Sequence, residues 1–239
     1  MSSDETAAAM AAAQARWEGQ VRQGRFRSIE PSEVSSMMRD GWVLLDVRPE
    51  EECSIASVDG SVHVPLFRVD DSFDPGSLIK QMSAFGMGGW WLGTKHMVPN
   101  KGFMGDVMEK LYARRAAAGG DEATTDPRET EKVIVACQKG LRSLAACEQL
   151  ANAGFKELAW VNGGYDMSRK GDLPVDDGKD IRYAGIGGVS SLLGWTEVQQ
   201  EENKGLGGGV QNVLKVIAAL VVLDGLVLLF EQAQYAGVV

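Results

Sequence analysis

The stretch from Val133 to Ser143, Val-Ile-Val-Ala-Cys-Gln-Lys-Gly-Leu-Arg-Ser, constrains the fold of this chain more than any other. A short β-branched run bounded by polar residues is the pattern of a buried strand. It ends in Cys137, passes through a tight Gly-containing loop and enters a helix-forming segment, Leu144 to Ala153, closed by Gly154. Strand, short loop and helix make successive backbone N–H groups converge at the helix N-terminus. A cysteine at that point has its thiolate stabilised by those donors, by the helix dipole and by the nearby Lys139 and Arg142. The expectation is a nucleophilic sulfur on Cys137, with Gln138, Lys139, Gly140, Leu141 and Arg142 forming the loop that meets a substrate. The same residues also fit an inert buried cysteine at a strand end.

Other elements arrange themselves around this stretch. Phe26 to Ile29 reads as a short strand before Pro31, and Ser32 with Glu33 opens a helix ending near Gly41. Trp42 to Val47 is a second buried strand with Asp46 at its carboxyl end. In open parallel sheets the ligand crevice lies off the carboxyl ends of strands, so Asp46 and Cys137 can share one crevice. Glu50 to Ala56 is expected to be helical, and His63 to sit in a short strand as a packed or rim residue. Phe103 to Arg115 has a helical pattern, and Ala116 to Glu131 reads as a polar surface loop. Leu158 to Val161 is a strand, and Gly163-Gly164 a turn into a last helix. Leu144, Cys147, Leu150 and Ala151 share one helical face, which places Cys147 in the core.

Several motifs resemble those of rhodanese-type sulfurtransferases. They are Cys-x-x-Gly-x-Arg-Ser from Cys137, Asp46-Val47-Arg48, Ser61-Val62-His63-Val64-Pro65-Leu66, and Val161-Asn162-Gly163-Gly164-Tyr165. They occur in the family's order between residues 28 and 175. A second set resembles chloroplast members of that family from plants and algae: Met87-Gly88-Gly89-Trp90-Trp91, the Cys137–Cys147 spacing, Ala184-Gly185-Ile186-Gly187-Gly188, and Leu193-Gly194-Trp195-Thr196. The resemblance implies an α/β rhodanese fold, a central parallel sheet flanked by helices, over 25–175. It implies that Cys137 carries a persulfide taken from a small donor such as thiosulfate, and that Asp46 and Arg48 are supporting residues rather than catalysts. Four residues separate Cys137 from Arg142, whereas cysteine phosphatases have five, so the narrower loop suits sulfur rather than phosphate. The family's Gly-His-Ile cluster is replaced here by Ser57-Val58-Asp59-Gly60.

The balance of 24 Lys+Arg against 33 Asp+Glu argues against a general nucleic-acid binder. With 3 cysteines and 2 histidines, neither a disulfide framework nor a metal site is expected, and no cofactor. Asp4 and Glu5 are unlike a transit peptide; either the protein is not imported or this sequence is already processed, and the resemblance favours the second. Residues 1–24 are expected to form an N-terminal helical arm, solvated or docked on a partner, without a wide apolar stripe. Residues 67–112 make a long connection rich in Gly, Trp and Met. Its Trp90 and Trp91 suit either a lid over Cys137 or a partner or membrane contact.

After a Gly-punctuated linker with a short helix at 176–209, residues 210–232 are expected to cross a membrane. The apolar run Val213 to Phe230 spans ~27 Å at ~1.5 Å per residue, close to a ~30 Å bilayer core. Its Val, Leu, Ile and Phe contribute about −4 to −8 kcal/mol against about 3 for Asp224, so insertion is marginally favourable. The other reading is an apolar helix packed in the soluble core or on a partner. Asp224, isolated in such a span, is expected to face another membrane protein. The resemblance further implies a chloroplast thylakoid location with the rhodanese domain facing the stroma. A rival role is a docking or assembly subunit of a thylakoid membrane (photosynthetic) complex.

Overall fold

The computed structural model describes residues 19–70, 97–118, 125–175 and 179–185, together with 8, 12, 15–17 and 76. All of them belong to one compact unit built from 1–78 and 96–185. Trp90, Trp91, Asp224 and the predicted membrane span 210–232 lie outside the described residues. Among the described residues, no helix is long and apolar enough to cross a membrane.

The elements follow in the order β1 (Arg27–Ile29), α1 (Pro31–Arg39), β2 (Val43–Asp46), α2 (Glu50–Ile55), β3 (Val62–His63), β4 (Phe67–Val69), β5 (Met97–Pro99), α3 (Phe103–Ala117), α4 (Pro127–Thr130), β6 (Lys132–Ala136), α5 (Leu141–Asn152) and β7 (Glu157–Val161), with 3-10 turns at Tyr165–Met167 and Ile181–Tyr183. Five strands form a sheet in the order β1-β7-β6-β2-β3, every pair parallel. Fully covered parallel strands need apolar residues on both faces, and β2 and β6 supply them without alternation. Val43, Leu45, Val133 and Val135 point to one face, against Phe103, Val107 and Leu111 of α3 and Leu144, Cys147 and Leu150 of α5. Leu44, Ile134 and Ala136 point to the other, against Val34 and Met37 of α1 and the later residues Tyr165, Leu173, Ile181 and Ala184.

Local signals explain where the helices start. In α1, Pro31 occupies the first turn and Glu30 with Glu33 forms a reciprocal capping box. In α5, Gly140 adopts φ +84°, so the helix begins directly out of the loop.

The structure departs from the sequence reading in four places. The ends of the 67–112 connection are not loop: β4 and β5 pair as an antiparallel ribbon, with Phe67 opposite Pro99. Two three-residue strands with a proline carry too weak a periodic signal to be read beforehand. Within 116–131, Asp126 caps the short helix α4 by accepting from the Arg128 N–H. The helix expected after Gly164 is a single 3-10 turn. Packing also continues past Val175, because Ile181 and Ala184 are buried in the second core.

The N-terminal segment is helical at 15–17 and 19–22, and it is docked rather than solvated. Gln20 is buried, and Trp17 and Val21 pack on the first core. Glu148 of α5 gathers the Trp17 indole N–H at 2.8 Å, Gln20 Nε2 at 3.0 Å and Arg16 Nε at 3.1 Å. Partial burial works to raise the Glu148 carboxyl, but the hydrogen bonds from Trp17 and Gln20 and the Arg16 charge outweigh it and hold it below its ordinary value. A depressed carboxyl contributes stability above its unfolded pKa, ~4.3, and loses it as pH falls through the folded value. Glu148→Ala is therefore expected to expose Arg16 and Arg22 to trypsin at neutral pH without melting the sheet. Acidifying the wild type through the folded-state value of Glu148, which lies below its ordinary one, should release the same segment, a change readable in the Trp17 indole resonance.

Candidate active site

Asp46 and Ala136 are register partners at the carboxyl ends of β2 and β6, so the residues after them emerge side by side. Asp46 and Arg48 form a buried bidentate pair: Arg48 Nε lies 3.0 Å and Nη2 2.8 Å from Asp46 Oδ2. The two side chains are 1 and 0% exposed, respectively. Arg48 also donates to the Ala56 carbonyl and to Gln138 Oε1, and its carbonyl accepts from His63 Nε2. Burial opposes the Arg48 charge, and Asp46 more than compensates, raising its pKa. Tyr165 stands over Arg48 and donates its hydroxyl to Asp46; burial first, then Asp46, keeps that phenol protonated. Asp46 and Arg48 thus knit β2, α2 and the cysteine loop together.

The loop itself curls around sulfur. Cys137 Sγ accepts from the Gly140 N–H at 3.1 Å and from the Ser143 N–H at 3.3 Å, at the first turn of α5. Ser143 Oγ and the Trp160 indole N–H both donate to the Gly140 carbonyl, closing the turn from outside. The convergence of main-chain donors on this sulfur follows from strand, glycine and helix start in that order. The sequence alone gives Ser143, Trp160 and Tyr165 no part in the site. The Arg-Ser pair ending the motif was the only available signal for Ser143.

The other loop side chains divide sharply. Gln138 is 2% exposed and turned away from the sulfur. Its Nε2 donates to Asp166 at 2.6 Å and to the carbonyls of Ile181 and Arg182 at 3.0 Å. Arg142 does not present a free cation to solvent: its Nη1 and Nη2 lie 2.9 and 2.8 Å from the two oxygens of Glu52. Burial opposes the Arg142 charge, and the hydrogen bonds and charge of Glu52, with Cys137 adding, leave its pKa raised. Lys139 and Leu141 project outward. A cavity of about 550 Å³ runs along that side, lined by Trp17, Val21, Lys139, Leu141, Leu144 and Trp160. The cysteine itself is only 1% exposed.

Neither remaining cysteine is prepared for chemistry. Burial, then Asp46, pushes the Cys53 thiol up to about 12, and burial raises that of Cys147, which lies in the core. Among the described residues no cluster of His, Cys, Asp and Glu is placed to hold a metal ion.

A parallel sheet with helices on both faces and a cysteine loop at its carboxyl edge defines a rhodanese-type, sulfurtransferase-type domain. No family model matches the chain. Rhodanese-like domain-containing protein 11, chloroplastic, from Arabidopsis thaliana is 38% identical over 231 residues, 95% of this chain and 73% of that protein. Rhodanese-like domain-containing protein 10 from the same plant is 37% identical over 72% of this chain and 75% of its own length. Protein 9, chloroplastic, also from Arabidopsis, is 24% identical over 65% of this chain and 59% of its own. The chain belongs to the family of rhodanese-like domain-containing proteins.

The Gly163-Gly164 turn supports the loop from the opposite side. Tyr165 N–H donates to the Cys137 carbonyl and Asp166 N–H to that of Gln138, both at 3.0 Å. A Cβ on Gly164 would sit 2.3 Å from the Cys137 carbonyl oxygen, and the residue has φ +67°, ψ −159°, a region open essentially to glycine alone. Gly171 has φ +94° with nothing near its Cβ position. Gly164→Ala is expected to lower Tm by about 10 °C or prevent folding, against about 3 °C for Gly171→Ala. Equal losses in a thermal melt would show that the loop does not rest on the turn.

Proposed function

We propose that this protein is a sulfurtransferase that carries sulfur as a persulfide on Cys137. The observation that carries the reading is the pair of main-chain N–H donors aimed at one sulfur atom at the start of α5. Such donors stabilise negative charge on the sulfur of a thiolate or persulfide, as they do at an oxyanion. The Cys137 thiolate attacks the outer sulfur of a sulfane donor, thiosulfate being the simplest. A new S–S bond forms, the donor's S–S bond breaks, and its electron pair leaves with sulfite. An acceptor thiolate then takes the outer sulfur and returns the thiolate of Cys137.

The test uses the full chain, because residues 179–185 hold Gln138 in the loop. Incubation with a sulfane-sulfur donor is expected to add the mass of one sulfur atom to Cys137, and a thiol to remove it. Cys137→Ser should show neither step. Equal transfer by the two proteins would reject the reading.

One observation favours a second role. A sulfur only 1% exposed fits a module that docks rather than turns over. In that case the chain is an assembly subunit of a thylakoid membrane complex, with Trp90, Trp91 and Asp224 as contacts. The chloroplastic relatives support a chloroplast location. Membrane attachment through 210–232 rests on the apolar run, and the stromal side of the domain on the family resemblance. Carbonate-washed membranes should retain the full chain and lose one lacking those residues; equal retention would remove the anchor.

A further inference from the structure

We infer that the docked N-terminal segment and the outer side of the cysteine loop together form a binding site for the acceptor of the sulfur, a small thiol that carries a carboxylate. The inference rests on the sulfur-transfer reading and adds an acceptor class and a subsite to it.

The bonds that hold each loop residue restrict the approach to Cys137. Gln138 is tied to Asp166 and to the carbonyls of Ile181 and Arg182. The Gly140 carbonyl takes two donors, and Arg142 is forked to Glu52. Leu141 is exposed instead, and both it and Lys139 border the cavity of about 550 Å³. An acceptor that leaves the loop's bonds in place comes from that side.

The cavity has the size of a ligand pocket, usually ~300–1,000 Å³. Trp17, Val21 and Arg22 of the N-terminal segment supply part of its lining, and Trp160 of β7 another part. Both indole N–H groups are already spent, that of Trp17 on Glu148 and that of Trp160 on the Gly140 carbonyl, each at 2.8 Å. The rings therefore offer the cavity hydrocarbon surface rather than donors. Charge selection falls to the remaining lining. Among the described lining residues, Arg22 and Lys139 are cations and none is a carboxylate. The arginines on either side of Arg22 are engaged, Arg16 by Glu148 and Arg25 by Gln20 and Asn152. Among the described residues, no carboxylate is paired with Arg22. A guanidinium bordering a largely apolar cavity suits a carboxylate, whereas an ammonium group there meets like charge. The net charge of −9 acts against any anion from a distance, but it is screened beyond ~8 Å at physiological salt, and Arg22 is met at contact.

The transfer balances without an oxidant or reductant. The acceptor thiolate R–S⁻ attacks the outer sulfur of the Cys137 persulfide, and R–S–SH forms. The S–S bond to Cys137 breaks, and its electron pair stays on Sγ as the thiolate facing the Gly140 and Ser143 N–H groups.

The experiment uses the full chain, with thiosulfate as donor and two acceptors of similar size and opposite charge, 3-mercaptopropionate and cysteamine. Each thiol is compared with itself on wild type and Arg22→Gln, so its intrinsic nucleophilicity cancels. Arg22→Gln is expected to raise KM for 3-mercaptopropionate about fivefold and to change kcat less than about twofold, the mark of lost binding rather than lost chemistry. KM for cysteamine should stay or fall. Glu148→Ala, which frees the segment, should reproduce the loss for 3-mercaptopropionate. Binding is read separately with unreactive probes: 3-phenylpropionate should shift the Trp17 and Trp160 indole resonances of the wild type saturably, and phenethylamine should not. Equal KM changes for both thiols, no change for either, or transfer to a protein thiol alone would overturn the inference. Absence of transfer from Cys137 to any acceptor overturns the sulfur-transfer reading instead, and the phenylpropionate titration then decides whether the cavity takes carboxylates: unmoved indole resonances would remove the subsite as well.

Discussion

A single buried ion pair holds the functional edge of this protein together. Isolated charges do not survive in a core, and removing one partner of such a pair costs about 3–5 kcal/mol because the other is stranded. Here the cost of burying Arg48 is offset by more than Asp46. The guanidinium also reaches the Ala56 carbonyl and Gln138 Oε1, while the Asp46 carboxylate takes the Tyr165 hydroxyl. Each contact belongs to a different segment: the end of α2, the cysteine loop, and the turn after β7. Because each bond is directional, the pair fixes the mutual register of three segments that apolar packing alone would leave free to slide. No buried side-chain nitrogen or oxygen among the described residues is left without a partner, the condition under which such a network rigidifies rather than destabilises.

The cysteine loop is supported from beneath as much as from within. Its backbone is gripped by Tyr165 and Asp166 through the space that only Gly164 leaves open. Its second side chain, Gln138, is held by carbonyls at 181 and 182, and Gly185 lies so close that a Cβ there would stand 2.1 Å from Gln138 Cγ. The stretch after Val175 is thus part of the machinery that shapes the loop, and a fragment cut at the apparent end of the sheet domain would lose part of that support.

The parallel sheet and its main helices were legible in the sequence because burial on both faces forces unbroken apolar runs such as Val133 to Ala136, and because Pro31, Gly140 and Gly154 mark helix ends. The position of Cys137 at a helix start was legible for the same reason. What the sequence concealed were partnerships across long separations. Nothing local in Glu52 announces Arg142, ninety residues further along the chain, and nothing in Gln138 announces a carbonyl at 181. Polar residues near a reactive group look available in one dimension. In three dimensions, Gln138 is consumed by structure and Arg142 by a carboxylate. The docked N-terminal segment was hidden differently, since its contact with Glu148 uses one tryptophan and polar tips rather than an apolar stripe.

These partnerships also bear on how a nearly inaccessible sulfur can react. Donors at 3.1 and 3.3 Å require the loop to close around Sγ, so good electrostatic support and low exposure have one cause. Reaction then depends on which part of the ring can yield. Gly140 is fixed by Ser143 and Trp160, Gln138 by its four partners, and Arg142 by Glu52. Leu141 is 56% exposed and borders, with Lys139, the cavity on the outer side of the loop. Displacing these two side chains breaks neither the donor pair nor the buried ion pair beneath it. Access from that side leaves the sulfur's support intact, whereas access through Gln138 would have to dismantle the core.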